Sequence, residues 1–242
     1  MKPDEKERFV ERALRQMAWH TFPCIASVIG GTGHPRVVAS GLRLWASRPC
    51  LVTAAHIART APTLTASIDR AWSPVTLSKP SLLDEAHDVA VYWLTSPHHE
   101  RSESFWPIER VDERDCDLSS DLLVVHGFPL TTEVQSQVRE SFAVQSFPYG
   151  SMSVEPDASH WLAPHQFAIP FDPSTFASAS QLPLRPDGMS GSAVWRVGAN
   201  GVRPDEWSSL RSSLVGIVTG WDETRSALVA TRASRIVDLL RG

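Results

Sequence analysis

Three short motifs in this chain of 242 residues contain the residue types that nucleophilic hydrolysis requires. His56 follows the apolar run "LVTAA", Asp88 precedes "VAVYWL", and Ser190 stands between two glycines in "DGMSGSAVW". A serine hydroxyl is a poor nucleophile at neutral pH unless a base such as histidine takes its proton. A carboxylate can hold the imidazole and stabilise the cation that forms, so the three residue types complement one another.

Each motif has a simpler interpretation when it is taken alone. A histidine after a strand is usually structural, an aspartate before a strand usually belongs to a turn or cap, and Gly and Ser are common turn residues. The alternative for the third motif is that its glycines let the backbone approach a reacting group while Ser190 presents its hydroxyl. Chance rarely supplies all three motifs in the order His, Asp, Ser.

The elements that must position these residues are mostly short strands. Many β-rich runs, separated by Gly, Pro, Asp and Ser, predict an all-β sandwich or barrels. Apolar residues recur at helical spacing over 4–18 and in the C-terminal "SRIVDLLRG", where Ser234 is a candidate N-cap. The charged region 96–120 lacks periodicity and is the best candidate for a connection between two halves.

Composition and charge limit the classes of function. The net charge of −4 argues against nucleic-acid binding, which usually requires a basic patch. The longest apolar run is far shorter than a membrane span, so no membrane association is expected. Because the N-terminal segment is charged throughout and lacks the apolar core of a secretory signal, the sequence predicts a cytoplasmic protein.

The cysteines and scattered histidines do not suggest a metal site or a cofactor. The three cysteines have no metal-binding spacing, and we expect free, mostly buried thiols in a reducing compartment. The histidines lack the helical spacing and carboxylate of a zinc-dependent hydrolase. The residues in question are Cys24, Cys50, Cys116, His98, His99, His160 and His165.

The motifs TAAH, DVA and GMSGS resemble the active-site signatures of the trypsin/chymotrypsin-like serine peptidases, whose triad has this chain order. "VVASGLRL", "VVHGFP" and "LVGIVTGW" extend the resemblance from about residue 21 to the C-terminus, towards bacterial intracellular members. The implied chymotrypsin-like fold has two antiparallel six-stranded β-barrels with the active site between them. We expect an N-terminal helix over 1–20, a first barrel over 21–115, a second barrel over 116–231 and a C-terminal helix over 232–242.

The resemblance implies a serine endopeptidase that acts on a protein or peptide substrate through an acyl-enzyme intermediate. His56, Asp88 and Ser190 would form the catalytic triad, and the backbone N–H groups of Gly188 and Ser190 would form the oxyanion hole. Gly191 would permit the tight bend after the nucleophile.

Neighbouring residues are weaker candidates for these roles. The family pattern places the nucleophile between the two glycines, which disfavours Ser192, and neither Asp84 nor His87 begins the D-V-A strand. Digestive members of the family carry an aspartate before the nucleophile, which pairs with an N-terminus released by cleavage. Met189 occupies that position here, so we expect no such activation.

The specificity pocket departs from the trypsin pattern. Leu184 occupies the position of the acidic pocket floor, so the resemblance does not support a preference for basic side chains by that route. Thr219, Gly220 and Trp221 are expected along the pocket wall, where Trp221 would narrow the pocket. The acidic pair that follows, Asp222 and Glu223, leaves a basic side chain possible from another direction.

Two other classes of protein are alternatives to the peptidase. One is a catalytically silent or switchable peptidase-like scaffold that would bind a partner protein. A regulatory partner protein is compatible with both the peptidase and the scaffold. An esterase of the α/β-hydrolase type requires G-x-S-x-G and the order Ser, Asp, His, whereas this chain has G-M-S-G-S and the triad order His, Asp, Ser.

Overall fold

A computed structural model describes the chain over residues 3–31, 36–60, 64–67, 74–94, 104–114, 118, 121–130, 133–136, 141–144, 146–152, 161–172, 185–198, 202 and 205–242. The helices are α1 (Pro3–Thr21), α2 (Ala55–Thr60) and α3 (Ala233–Arg241), with single 3-10 turns at Phe22–Cys24, Ile108–Arg110 and Ser209–Arg211. The strands of the first half are β1 (Ile25–Gly30), β2 (Arg36–Trp45), β3 (Pro49–Ala54), β4 (Leu64–Ser67), β5 (Pro74–Leu77), β6 (Leu82–Asp84), β7 (Val89–Trp93) and β8 (Trp106–Pro107). Those of the second half are β9 (Leu122–Gly127), β10 (Glu133–Ser136), β11 (Ser141–Val144), β12 (Phe147–Met152), β13 (Gln166–Pro170), β14 (Ala193–Arg196), β15 (Ser213–Asp222) and β16 (Ala227–Arg232).

The strands form two curled antiparallel sheets, which confirms the predicted chymotrypsin-like all-β fold. The first sheet has the order β5–β4–β1–β2–β3–β7–β6, and the short strand β8 pairs in parallel with β2. The second has the order β12–β9–β14–β15–β16–β13, and β10 and β11 form a separate hairpin. Within the described residues the first sheet thus exceeds the predicted six strands. The proposed boundary between residues 115 and 116 lies outside the described residues.

Side chains that alternate along the strands pack into three hydrophobic cores. Along β3, Leu51 packs into the core of the first sheet, whereas its neighbours Cys50 and Val52 pack into a core shared by both sheets. In β14, Val194 packs into the core of the second sheet, while Trp195 packs into the shared core. Because successive side chains of a strand point to opposite faces, a strand buried on both faces joins two cores. The shared core holds the two sheets together and fixes the cleft between them.

Both terminal helices are present, as the sequence predicts. Phe9, Ala13 and Met17 recur every fourth residue on α1 and are buried in the shared core. Burial of this stripe makes the N-terminal helix part of the packed structure. At the other end, α3 follows β16 directly with Arg232 at the N-cap position and no side-chain cap bond. The expectation that Ser234 caps this helix is therefore wrong.

A buried histidine connects α1 to the second sheet. The Thr21 hydroxyl donates to the Met17 carbonyl over 2.7 Å, which leaves its oxygen to accept from Nδ1 of His126 at 2.8 Å. Nε2 of His126 then accepts from the hydroxyl of Ser146 at 3.0 Å. Burial lowers the pKa of His126 to about 3, so the imidazole stays neutral in the folded protein.

We expect acid to destabilise the protein through His126. An unfolded histidine titrates near pH 6.5, so between there and about pH 3 the unfolded chain binds a proton that the buried ring does not. The free energy of unfolding should fall by about 1.4 kcal/mol per pH unit as pH decreases through this window. Urea unfolding at several pH values measures the slope, and His126→Gln should flatten it. An equal slope in both proteins would contradict this assignment.

Candidate active site

Strand register brings His56 and Asp88 to the same end of the first sheet. Ala54, the last residue of β3, pairs with Val89, the first residue of β7. His56 therefore lies just after the end of β3, beside Asp88, which lies just before the start of β7. The backbone N–H of His56 donates to Oδ1 of Asp88 at 2.8 Å, and ring Nδ1 donates to Oδ2 at 2.7 Å. Because a carboxylate only accepts, Nδ1 carries the ring proton and Nε2 keeps a lone pair for a second group.

The turn that presents Asp88 is fixed from both sheets. Asp88 has a φ of 56°, a left-handed conformation that aspartate tolerates better than most residues. Its carbonyl accepts from the N–H of Ala55 at 3.1 Å, and the preceding carbonyl, of His87, accepts from the hydroxyl of Thr231 on β16 at 2.9 Å. The carboxylate is thus held by a turn whose position depends on both halves of the molecule.

Asp84 and His87 form a second aspartate–histidine pair beside the first. Nδ1 of His87 lies 2.6 Å from Oδ2 of Asp84, and the His87 ring packs edge-on against His165 at a centroid distance of 4.4 Å. Partial burial favours the neutral acid, but the hydrogen bonds from His87 lower the pKa of Asp84 below its usual value. Neither member of this pair lines the cavity around Ser190.

The loop around Ser190 is bonded to both sheets. The Ser190 carbonyl accepts from the N–H of Ser40 on β2 at 2.8 Å, and the N–H of Gly191 donates to the Val218 carbonyl on β15 at 2.7 Å. Gly191 has a φ of 83°, and a Cβ there would lie 2.1 Å from the Ser40 carbonyl oxygen. The second glycine of the motif is therefore required by the close approach of β2 to the loop.

The peptide that carries the N–H of the first glycine is held in one orientation. The Asp187 carbonyl accepts from the N–H of Leu130 at 2.6 Å, and in a trans peptide the N–H of Gly188 must point the opposite way. The Gly188 carbonyl accepts from the hydroxyl of Ser40 at 2.9 Å. The Met189 carbonyl accepts from the N–H of Ser192 at 2.8 Å, which orients the peptide that carries the Ser190 N–H. Among the described residues, neither the Gly188 N–H nor the Ser190 N–H has an acceptor. Two fixed donors of this kind are what an oxyanion hole requires.

Met189 anchors the loop in the second sheet. Its side chain is buried in the core of that sheet, and its N–H donates to the Pro186 carbonyl at 2.9 Å. Apolar packing thus occupies the position at which digestive peptidases form an ion pair. Ser192 is fully buried, with its hydroxyl 3.6 Å from Sδ of Met189, so the described structure gives no route from this serine to a substrate.

A cavity of about 380 Å³ joins the candidate residues, and its lining includes His56, Gly188, Ser190, Val218, Gly220 and Trp221. Thr219 does not line it, contrary to expectation, whereas Val218 and Gly220 on either side of it do, as the alternation of residues along a strand requires. The Thr219 hydroxyl lies 3.4 Å from that of Thr231, and Thr219 lines a second cavity of about 470 Å³ together with Asp88 and Trp161. Leu184 lies outside the described residues.

The described structure brings Ser190 and His56 to one cavity but shows no hydrogen bond between the Ser190 hydroxyl and the His56 ring. Catalytic hydrogen bonds are often long or poorly aligned without substrate and tighten in the bound complex. The geometry therefore contains a formed His–Asp pair and two N–H groups without a described acceptor, but no contact between the serine hydroxyl and the histidine ring.

Among the described residues, the cysteines are unsuited to act as nucleophiles and no metal site is present. Cys24 and Cys50 are free and buried, and burial raises the pKa of each thiol to about 12. In this part of the chain no group of three or more His, Cys, Asp or Glu residues could hold a metal ion. No helix among these residues has the length and apolar character needed to cross a membrane. Outside the described residues lie Cys116, His98, His99 and His160.

No protein-family model and no curated protein sequence matches the chain. Solved structures do match its fold. The serine endoprotease from Yersinia pestis superposes with a TM-score of 0.57 at 12% identity, covering 94% of this chain and 65% of that one. The HtrA-type protease AlgW with tripeptide gives 0.56 at 11% identity, covering 94% and 62%. The Rv3671c protease in an inactive form gives 0.52 at 14% identity, covering 94% and 93%.

The chain thus spans less than two thirds of the first two of these proteins and nearly all of the third. At these identities the likeness concerns the fold, and it agrees with the two sheets and the terminal helices described above. The fold of this chain is the double β-barrel of the trypsin- and chymotrypsin-like serine proteases.

Proposed function

We propose that the chain is a serine endopeptidase that cleaves a peptide bond in a protein substrate through His56, Asp88 and Ser190. The observation that carries this proposal is the convergence of two features on one cavity. A histidine held by two bonds to one carboxylate faces the same space as a serine flanked by two N–H donors. This arrangement supports acyl transfer, in which negative charge develops on a carbonyl oxygen.

In the first half of the reaction, Ser190 Oγ attacks the carbonyl carbon of the substrate and His56 Nε2 takes the hydroxyl proton. The substrate oxygen becomes an oxyanion and accepts from the N–H groups of Gly188 and Ser190, and one such donor is typically worth about 3–4 kcal/mol. Asp88 stabilises the imidazolium through Nδ1. The intermediate collapses when His56 returns the proton to the leaving amine, which yields an ester on Ser190.

In the second half, water attacks the ester on Ser190 and His56 again accepts the proton. The oxyanion forms at the same two N–H groups, and collapse expels the serine oxygen, which regains its proton from His56. The products are a carboxylic acid and an amine. No group outside the described site is needed to balance the reaction.

The strand edge beside the cavity can hold an extended peptide. Beyond Val218, β15 pairs with β16 on one side through Gly220 and Trp221, whereas no described residue pairs with its other edge. An open strand edge binds an extended peptide by adding it as a further strand. Trp221 packs edge-on against Phe171 at 5.6 Å and forms an apolar wall beside this edge.

The alternative function is a silent or switchable scaffold that binds a partner protein. The observation that favours it is the missing hydrogen bond between Ser190 and His56. Such a scaffold would use the same open edge of β15 for binding without completing the reaction.

Labelling with a fluorophosphonate probe separates the two functions. An activated serine attacks phosphorus and becomes covalently modified, whereas an ordinary hydroxyl does not react. We expect one label per chain, located by peptide mass spectrometry on Ser190 and not on Ser192, because Ser192 is buried. Folded protein that remains unlabelled would refute the peptidase and favour the scaffold.

A further inference from the structure

On the basis of the proposed function, we infer that the cleft selects a substrate with an acidic residue shortly after the scissile bond, and that Arg36 on β2 makes this selection. The inference rests on where β2 lies relative to Ser190, on the exposed face of that strand and on the charges that line the cavity.

The bonding of the nucleophile loop distinguishes the two ends of the cleft. On one side Gly191 donates to Val218 of β15, the strand whose open edge can hold the acyl portion of a peptide. On the other side the Ser190 carbonyl accepts from Ser40 of β2. A peptide whose carbonyl carbon lies at Ser190 and whose acyl portion follows β15 must direct its amine portion towards β2.

Over residues 36–39 of β2, more exposed and buried side chains alternate. Val37 and Ala39 are buried, Val38 is half-buried and Arg36 is exposed, and the cavity is lined by Arg36, Val37 and Val38. At about 3.3 Å per residue, Arg36 lies roughly 13 Å along the strand from Ser40. An extended substrate covers that length in about four residues, so Arg36 can reach the first few residues after the scissile bond.

The charged residues that line this part of the cleft determine which substrate side chains it favours. Arg36 makes no hydrogen bond or ion pair with any described residue, so its guanidinium is available to a carboxylate. The other charged or titratable groups that line the cavity are His56 and Asp187. Asp187 immediately precedes Gly188 and disfavours an acidic substrate side chain at that end of the cavity. The combination favours an acidic side chain towards the Arg36 end of the cleft.

The test uses fluorescence-quenched peptides based on one cleaved sequence, with Glu, Gln or Lys at the first, second or third position after the scissile bond. At low ionic strength we expect kcat/KM to favour Glu over Gln by about two- to fivefold at one of these positions, with Lys below Gln. Added salt should reduce the difference. Arg36→Glu should reverse the order, whereas Arg15→Glu, on the exposed face of α1, should leave the ratios unchanged.

Equal cleavage of the three peptides at every position, or a preference for Glu that persists in Arg36→Glu, would overturn the inference. Failure of the proposed function has a different signature, since no peptide would be cleaved and Ser190 would not react with the fluorophosphonate. In that case fluorescence anisotropy of peptides that carry the fluorophore without the quencher, with Glu, Gln or Lys varied in the same way along one sequence, measures the preference as binding. Equal binding of Glu and Lys peptides would overturn the inference there too.

Discussion

Ser190→Ala should abolish peptide cleavage while the protein stays folded. Ser190 is partly buried and lines the cavity, and the loop is held by backbone bonds and by the packing of Met189, none of which needs this side chain. In subtilisin, loss of the nucleophile lowers kcat by about 10⁶-fold, and we expect a loss of this order. Steady-state cleavage of a quenched peptide and thermal unfolding of the same preparation measure the two parts of the prediction.

Ser192→Ala is the matched control two residues away. Ser192 is fully buried and its hydroxyl contacts Sδ of Met189, so the change affects packing and leaves the reaction path intact. We expect the control to keep most of its activity and to unfold at a slightly different temperature. Substantial turnover by Ser190→Ala, or a loss of activity explained by unfolding, would remove Ser190 from its proposed role.

The sequence predicts the local parts of this site and not the contacts that organise them. TAAH, DVA and GMSGS are contiguous motifs, and each lies where a strand ends or begins. The pairing of Ala54 with Val89 then brings His56 and Asp88 together. The amphipathic pattern over 4–18 likewise predicts α1, because a buried helical stripe is visible in the sequence itself.

Features that depend on three-dimensional context were missed or misplaced. Thr219 was expected on the pocket wall, but its hydroxyl lies next to that of Thr231, and the motif alone does not say which face of β15 each of its residues takes. Ser40 holds both the Ser190 carbonyl and the Gly188 carbonyl, yet in the sequence it is an ordinary strand residue. Leu130 fixes the peptide before Gly188 through its backbone, so its side chain carries no signal.

Asp88→Asn should lower kcat by about 10⁴-fold, the loss that this change causes in trypsin. The backbone N–H of His56 donates to Oδ1 of Asp88 at 2.8 Å, and in the variant it still requires an acceptor. The asparagine oxygen must therefore take that position, which places its NH₂ group 2.7 Å from Nδ1. Because that group can only donate, the ring proton moves to Nε2, and Nε2 can no longer accept the proton of Ser190.

Asp84→Asn provides a control with the same local chemistry. Asp84 also accepts from a backbone N–H, at 3.1 Å, and from ring Nδ1 of His87, at 2.6 Å. Its histidine does not line the cavity, so the same tautomer change there should alter kcat little. Peptide turnover under saturating substrate, measured for both variants beside their thermal unfolding, separates a catalytic loss from a structural one. If Asp84→Asn were the damaging change and Asp88→Asn the mild one, the catalytic carboxylate would have to be reassigned to Asp84.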